Sequence, residues 1–191
     1  MQLLGSCVYR LFISLTILSL PACTGIADPM IAAGLPLDGS TFTTDTRPVP
    51  GLPVCIESGE PASETHQAMF EALNAYRIEN GLNPLIYSKR LEAAADTYAA
   101  DLWQRGFFAH INPEGENPGD RAMTIGFCHE YVGENLAAGQ NTVDRAMAAW
   151  IASPTHNDNM LLERYVYVGM GVSVDANGRR YWVQEFAYDV P

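Results

Sequence analysis

Three short strings carry the side chains best suited to chemistry: His110 in Phe108-Ala109-His110-Ile111-Asn112-Pro113, Glu134 in Gly133-Glu134-Asn135-Leu136-Ala137, and His156 in Ser153-Pro154-Thr155-His156-Asn157-Asp158-Asn159. Two neutral imidazoles and a carboxylate suit a divalent transition metal such as zinc, with one coordination position left open. The same groups can instead hydrogen-bond each other and nearby backbone as a polar plug. They match no local metal motif such as H-E-x-x-H, so only a tertiary fold can bring them together. Convergence would make a polar cleft, with Asn135, Asn157 and Asn159 suited to satisfying exposed backbone groups at strand and helix ends. His66 reads as a solvated residue on a polar helix face, and His129 and Glu130 as strand-edge positions. The chain has no G-x-S-x-G elbow and no phosphate loop to supply a different enzyme.

Helices and strands must position these groups. Ser63 is placed to cap a helix with Met69, Ala72, Leu73 and Tyr76 at helical spacing, ending at Gly81. Leu82 to Tyr87 reads as extended. Ser88 caps a second helix, with Leu91, Ala94, Ala95, Tyr98 and Leu102 on one face and Gly106 closing it. A short third helix is expected over 118–125, a strand over 131–137, and a helix capped by Asn141 that carries Ala146, Ala149 and Trp150. Ser153 followed by Pro154 starts a further helix, because proline at the first helical position gives up no needed hydrogen bond; His156 then lies in its first turn. Val166, Val168, Met170, Val172 and Val174 alternate with smaller or polar residues, and Asp175-Ala176-Asn177-Gly178 supplies a turn into 181–188. Alternation puts Trp182, Gln184 and Phe186 on one strand face, and Trp150 on an apolar stripe, so the aromatics read as core; a buried Gln184 needs partners, which the cleft would supply. Helices that precede and interrupt a hairpin favour an α+β layered domain with an antiparallel sheet over a doubly wound one.

The N-terminal 1–22 reads as an export signal: Arg10 followed by an apolar run from Leu11 to Leu20, too short to span a bilayer. Leu20-Pro21-Ala22-Cys23 is similar to a bacterial lipoprotein processing site, and a diacylated Cys23 would tether the mature chain to a membrane; the alternative is an ordinary secretory signal cut nearby. Residues 23–62, rich in Pro, Gly, Thr and Ser, read as a tether, and about thirty residues of such chain reach roughly 30 Å. The domain then covers 63–191. Of 4 cysteines, Cys7 lies in the signal and Cys23 is the lipidation candidate. Cys55 and Cys128 remain as a pair for a disulfide in an oxidising compartment. The alternative is a Cys128 nucleophile, weakened because His129 beside it on a strand would point to the opposite face. The net charge of -11 argues against nucleic acid and against an electrostatic grip on anionic lipid.

Taken in order, Leu73-Asn74-x-x-Arg77, Gly81-Leu82-x-Pro84-Leu85, His110 with Pro113-x-Gly115, Gly133-Glu134-Asn135-Leu136-Ala137, Trp150 with His156-Asn157-x-Asn159-x-Leu161, Gly169-x-Gly171 and Tyr181-Trp182-x-Gln184-x-Phe186 resemble the bacterial branch of the CAP superfamily, which includes cysteine-rich secretory, antigen 5 and pathogenesis-related 1 proteins. The resemblance spans roughly 64–188. It implies a three-layer α-β-α sandwich around a central antiparallel sheet, an extracytoplasmic location in the cell envelope or outside it, and no settled activity for bacterial members. Eukaryotic members carry a cleft tetrad of two histidines and two glutamates that sometimes holds zinc; His110 and Glu134 match one of each. Ser153 and Tyr181 stand where the other two belong. Bacterial relatives carry a histidine six residues after the tryptophan, matched by His156, so the resemblance leaves His110, Glu134 and His156 as the candidate cleft and metal set.

Two function classes follow. One is a non-catalytic extracytoplasmic module, displayed from a lipid anchor, that uses the cleft to bind a small apolar or cell-envelope ligand. The other is a metal-assisted hydrolase of peptide or envelope substrate, with Glu134 as a third ligand or general base.

Overall fold

The structure, a computed structural model, describes residues 55–128 and 131–188. The export signal, Cys23, the tether up to residue 54, and the pair His129 and Glu130 lie outside the described residues. The elements are α1 (Glu64–Glu79), β1 (Ile86–Tyr87), α2 (Lys89–Gln104), α3 (Pro118–Thr124), β2 (Val132–Ala138), α4 (Val143–Ala152), α5 (Pro154–Met160), β3 (Tyr165–Val174) and β4 (Arg180–Tyr188).

Local sequence sets most of the boundaries. The Ser63 and Ser88 hydroxyls accept hydrogen bonds from the His66 and Leu91 amides and so start α1 and α2. Asn117 and Asp120 form a reciprocal capping box on α3. The cap of α4 is Thr142 rather than the expected Asn141: Thr142 has the extended backbone of an N-cap, and its hydroxyl accepts from the Arg145 amide. Gly81 and Gly106 adopt positive φ just beyond α1 and α2, a conformation glycine reaches without strain.

The four strands form one sheet in the order β1-β3-β4-β2. The β3–β4 hairpin and the β2–β4 pair are antiparallel, as expected. The sheet is not antiparallel throughout, because the two-residue β1 runs parallel to β3. A long crossover through α2 to α5 joins β1 to β3, and such a connection, unlike a hairpin, permits parallel pairing.

Alternation along β4 sorts the core into two layers. Trp182 and Phe186 pack with Met69 and Leu73 of α1 and Trp150 of α4, whereas Val183 and Ala187 face the side covered by α2. α2 lies unusually close to the sheet. A Cβ on Gly169 would come within 2.2 Å of the Glu92 amide nitrogen and the Leu91 carbonyl carbon, and one on Gly171 within 2.2 Å of the Ala95 carbonyl carbon. Only glycine leaves room for the helix there.

The end of the segment read as tether belongs to the folded body. Ile56 is fully buried against Leu91 and Tyr167; the Ser88 hydroxyl donates to its carbonyl, and the Ala62 amide donates to Glu92. A Cys55–Cys128 disulfide closes this edge, linking residues 73 apart in sequence. By loop-closure entropy, reducing it is expected to lower stability by about 2–4 kcal/mol, read as the difference between thermal melts with and without a phosphine reductant. A shift below about 1 kcal/mol would show that packing around Ile56 holds the segment without the bond.

His66, expected on the surface, is buried, and its Nε2 lies 2.9 Å from Asp96 Oδ1 on α2. The face of α1 that looks polar in sequence turns one of its polar residues toward a carboxylate on the neighbouring helix.

Candidate functional site

His110 sits in the connection between α2 and α3, a segment without regular structure that is tied down at several points. The Tyr98 hydroxyl donates to the Ala109 carbonyl, Arg121 Nη1 donates to the His110 carbonyl at 2.9 Å, and Asn112 and Glu116 close a tight turn through backbone and side-chain bonds. The backbone around His110 is therefore fixed although its ring is about half exposed, at 53 %. Glu134 comes from β2, one of the sheet's two edge strands, and its side chain is 1 % exposed.

The two meet. His110 Nδ1 lies 2.7 Å from Glu134 Oε1, and Arg121 Nη2 donates to Glu134 Oε2 at 2.6 Å. Arg121 also stacks its guanidinium 3.4 Å from the Tyr98 ring centroid, so one α3 side chain joins α2, the His110 segment and β2. The hydrogen bond to Glu134 raises the His110 pKa, against the opposing effect of burial. Burial pushes the Glu134 carboxyl upward, while His110 and Arg121 act to hold it down. With a nitrogen facing each oxygen, Glu134 is assigned as a carboxylate paired with the Arg121 guanidinium and hydrogen-bonded to the His110 ring.

His156 lies beside this triad rather than in it. It starts from α5 as expected, but among the described residues its ring makes no hydrogen bond to Glu134. Burial lowers its pKa, and the charge of His110 lowers it further. What holds α5 to β2 is an asparagine lattice: Asn135 Nδ2 donates to the His156 carbonyl at 3.0 Å, and Asn159 Nδ2 donates to the Glu134 carbonyl at 3.2 Å and to Asn135 Oδ1 at 3.1 Å. Gln184 finds its partner here, accepting from Asn135 Nδ2 at 3.1 Å. Asn135 and Asn159 thus satisfy backbone at strand and helix ends, whereas the Asn157 side chain accepts from the Tyr76 hydroxyl at 2.8 Å. His156, Phe108, Leu136, Trp150, Ser153 and Arg179 line a cavity of about 410 Å³, its apolar lining interrupted by a few polar groups.

Two residues that sequence reasoning passes over complete the site. Arg121 has no motif around it, and nothing in its spacing marks it. Glu185 has a signal: it alternates with Val183 and Ala187, so a strand that buries those two must bury the carboxyl as well. It stands directly opposite Glu134 in the β2–β4 register and is fully buried, with neither oxygen hydrogen-bonded. Burial drives its pKa well above the usual carboxylate range, the Glu134 charge adds to this, and Arg121 opposes it.

The donor set does not fit a metal centre. Both Glu134 oxygens are directed at nitrogen donors, one of them a permanent cation, and among the described residues no three His, Cys, Asp or Glu side chains are grouped so as to hold a metal ion.

The sandwich and its ordered motifs define a family. The family model for CAP, the cysteine-rich secretory protein family, matches residues 70–186, and the chain belongs to that family. It is 29 % identical over 124 residues to the uncharacterized protein YkwD of Bacillus subtilis, covering 65 % of this chain and 47 % of the relative. It spans less than half the length of the curated relatives it matches. Among solved structures, an outer surface protein of Borrelia burgdorferi superposes with a TM-score of 0.63 at 21 % identity, over 69 % of this chain and 97 % of that one. An extracellular SCP-domain protein of Bacillus anthracis superposes with a TM-score of 0.59 at 26 % identity, over 65 % of this chain and 40 % of that one.

Proposed function

We propose that this domain is an extracytoplasmic binding module, exported and tethered to a membrane through a lipid on Cys23, that takes a small apolar or cell-envelope ligand into the cavity beside His156. The observation that carries this reading is the state of Glu134. Both its oxygens are engaged by His110 and Arg121, so the carboxylate is no free base or metal ligand but a fixed point on β2, the strand whose residues Leu136, Ala137 and Ala138 line the cavity. An apolar cavity with a few convergent polar groups is the usual form of a small-molecule site. Phe108, exposed at its mouth, supplies aromatic contact area, and His156 and Arg179 supply hydrogen-bond donors. The extracellular and outer-surface descriptions of the B. anthracis and B. burgdorferi proteins support the location. Among the described residues no helix is long and apolar enough to cross a membrane; the anchor rests on the processing-site pattern that ends at Cys23.

A dansyl-labelled fatty acid is expected to bind the purified chain with Phe108→Ala weakening it about tenfold, a change of about 1.4 kcal/mol; equal affinity in both would place the ligand elsewhere. Labelled palmitate is expected to enter the wild-type chain in cells and not Cys23→Ala. Equal incorporation would remove the anchor from the account.

A further inference from the structure

A second group of titratable side chains lies at the start of α1 and takes no part in the cleft. Ser63 is exposed, and its Oγ lies 2.6 Å from His66 Nδ1. His66 is buried, and its Nε2 lies 2.9 Å from Asp96 Oδ1. Asp96 is itself held in place, because the Val172 amide of β3 donates to the same oxygen at 3.0 Å. We propose that Ser63, His66 and Asp96 form an acyl-transfer site, with Ser63 as nucleophile, His66 as general base and Asp96 as the residue that positions the imidazole.

The hydrogen-bond roles follow from the partners. A carboxylate oxygen can only accept, so a neutral His66 carries its proton on Nε2 and donates it to Asp96; its Nδ1 lone pair then accepts from the Ser63 hydroxyl. This is the order of roles that activates a serine: nucleophile, base, and an anion that fixes the tautomer. Capping alone explains less of the geometry. The hydroxyl accepts from the His66 amide at 3.4 Å, a long contact, whereas its bond to the imidazole is 2.6 Å. Ser63 also precedes a 16-residue helix, whose first amides have no intrahelical partner and point toward charge that develops near the cap.

In the reaction, Ser63 Oγ attacks the ester carbonyl while its proton passes to His66 Nδ1. The tetrahedral intermediate collapses, the carbon–oxygen bond to the leaving alcohol breaks, and His66 returns the proton to that alcohol. Water, deprotonated by His66, then cleaves the acyl-serine to release a carboxylic acid and restore the hydroxyl. No oxidant or cofactor enters the balance. Ser63 stands at the surface, with Glu64 next in the chain and the whole chain at -11, so the substrate class is a neutral or cationic acyl ester presented from outside rather than an anionic one.

The test is a fluorophosphonate probe applied to the full exported chain, with peptide mass spectrometry to locate the adduct and p-nitrophenyl acetate turnover in parallel. The expected result is an adduct on Ser63 that is absent from Ser63→Ala and forms about a hundredfold more slowly in His66→Gln. Asp96→Asn is expected to slow labelling and displace its pH–rate profile, which loss of a purely structural contact would not do. Circular dichroism establishes that each variant is folded. A wild-type chain that gives no Ser63 adduct, or a folded His66→Gln that labels at the wild-type rate, overturns the proposal, and neither result bears on the His110 cleft.

Discussion

Replacing Arg121 with methionine is expected to destabilise the domain by about 3–5 kcal/mol, the range for removing one partner of a buried ion pair. The size follows from what Arg121 holds. Its Nη2 neutralises a carboxylate that is 1 % exposed, its Nη1 donates to the carbonyls of His110 and Glu116, and its plane covers Tyr98. Methionine keeps much of the apolar stem but leaves Glu134 with His110 alone, and frees the segment between α2 and α3. For a domain of this size the midpoint of thermal unfolding should fall by roughly 10–20 °C. The double variant Arg121→Met/Glu134→Gln separates charge from packing. If the unpaired carboxylate is the main penalty, the second substitution restores a large part of the loss, and the coupling appears as non-additivity. An Arg121→Met protein within about 1 kcal/mol of wild type would mean that the ion pair contributes no more than an exposed one.

The second large effect has the opposite sign. Glu185→Met is expected to stabilise the domain by about 2–3 kcal/mol at pH 7, because a fully buried carboxyl without a hydrogen-bond partner gives way to a side chain of similar length that asks for none. The pH dependence fixes the cause. The folded-state pKa of Glu185 lies well above the ordinary value, so at low pH the group is protonated whether the chain is folded or not. As the pH rises through the unfolded-state pKa, near about 4.3, the unfolded chain releases this proton and the folded chain retains it. Wild-type stability then falls with rising pH, up to the folded-state pKa. Glu185→Met should lack this contribution, so the gap between the two curves narrows in acid and widens toward neutrality. Denaturant melts at a series of pH values measure this, and a constant gap between the curves would assign the gain to packing instead.

Why a structure should keep such a carboxyl is suggested by its position. Glu185 lies opposite Glu134 on the adjacent strand, on the face covered by α2. There, protonated, it sits beside the carboxylate that receives Arg121 and His110 without setting a second negative charge against it.

The frame of this fold is legible wherever one local rule governs an element. Serine caps begin α1 and α2, glycines end them, Ser153-Pro154 opens α5, and strict alternation gives the β3–β4 hairpin. The ordered motifs supply the architecture, and cysteine arithmetic supplies the pairing of Cys55 with Cys128. The site is legible only in part. His110 and Glu134 do meet, but their meeting depends on Arg121, whose role arises from three separate segments and leaves no mark in any one of them. Sequence groups His156 with them, and the structure places it one step away, because α5 is held to β2 through the His156 carbonyl and the Asn159 side chain and not through the imidazole. His66 escapes sequence reasoning for a related reason: helical periodicity says which face a residue occupies, not that a carboxylate on the next helix waits opposite. The parallel edge strand escapes it because two residues carry no pattern.

The titration of the His110 ring tests the central claim most directly, since that claim is that a histidine from an irregular segment is held on a buried glutamate of an edge strand. Followed by nitrogen-15 imidazole resonances, His110 is expected to titrate above the ordinary histidine value and to fall back toward it in Glu134→Gln. An ordinary midpoint, unmoved by that substitution, would contradict the account.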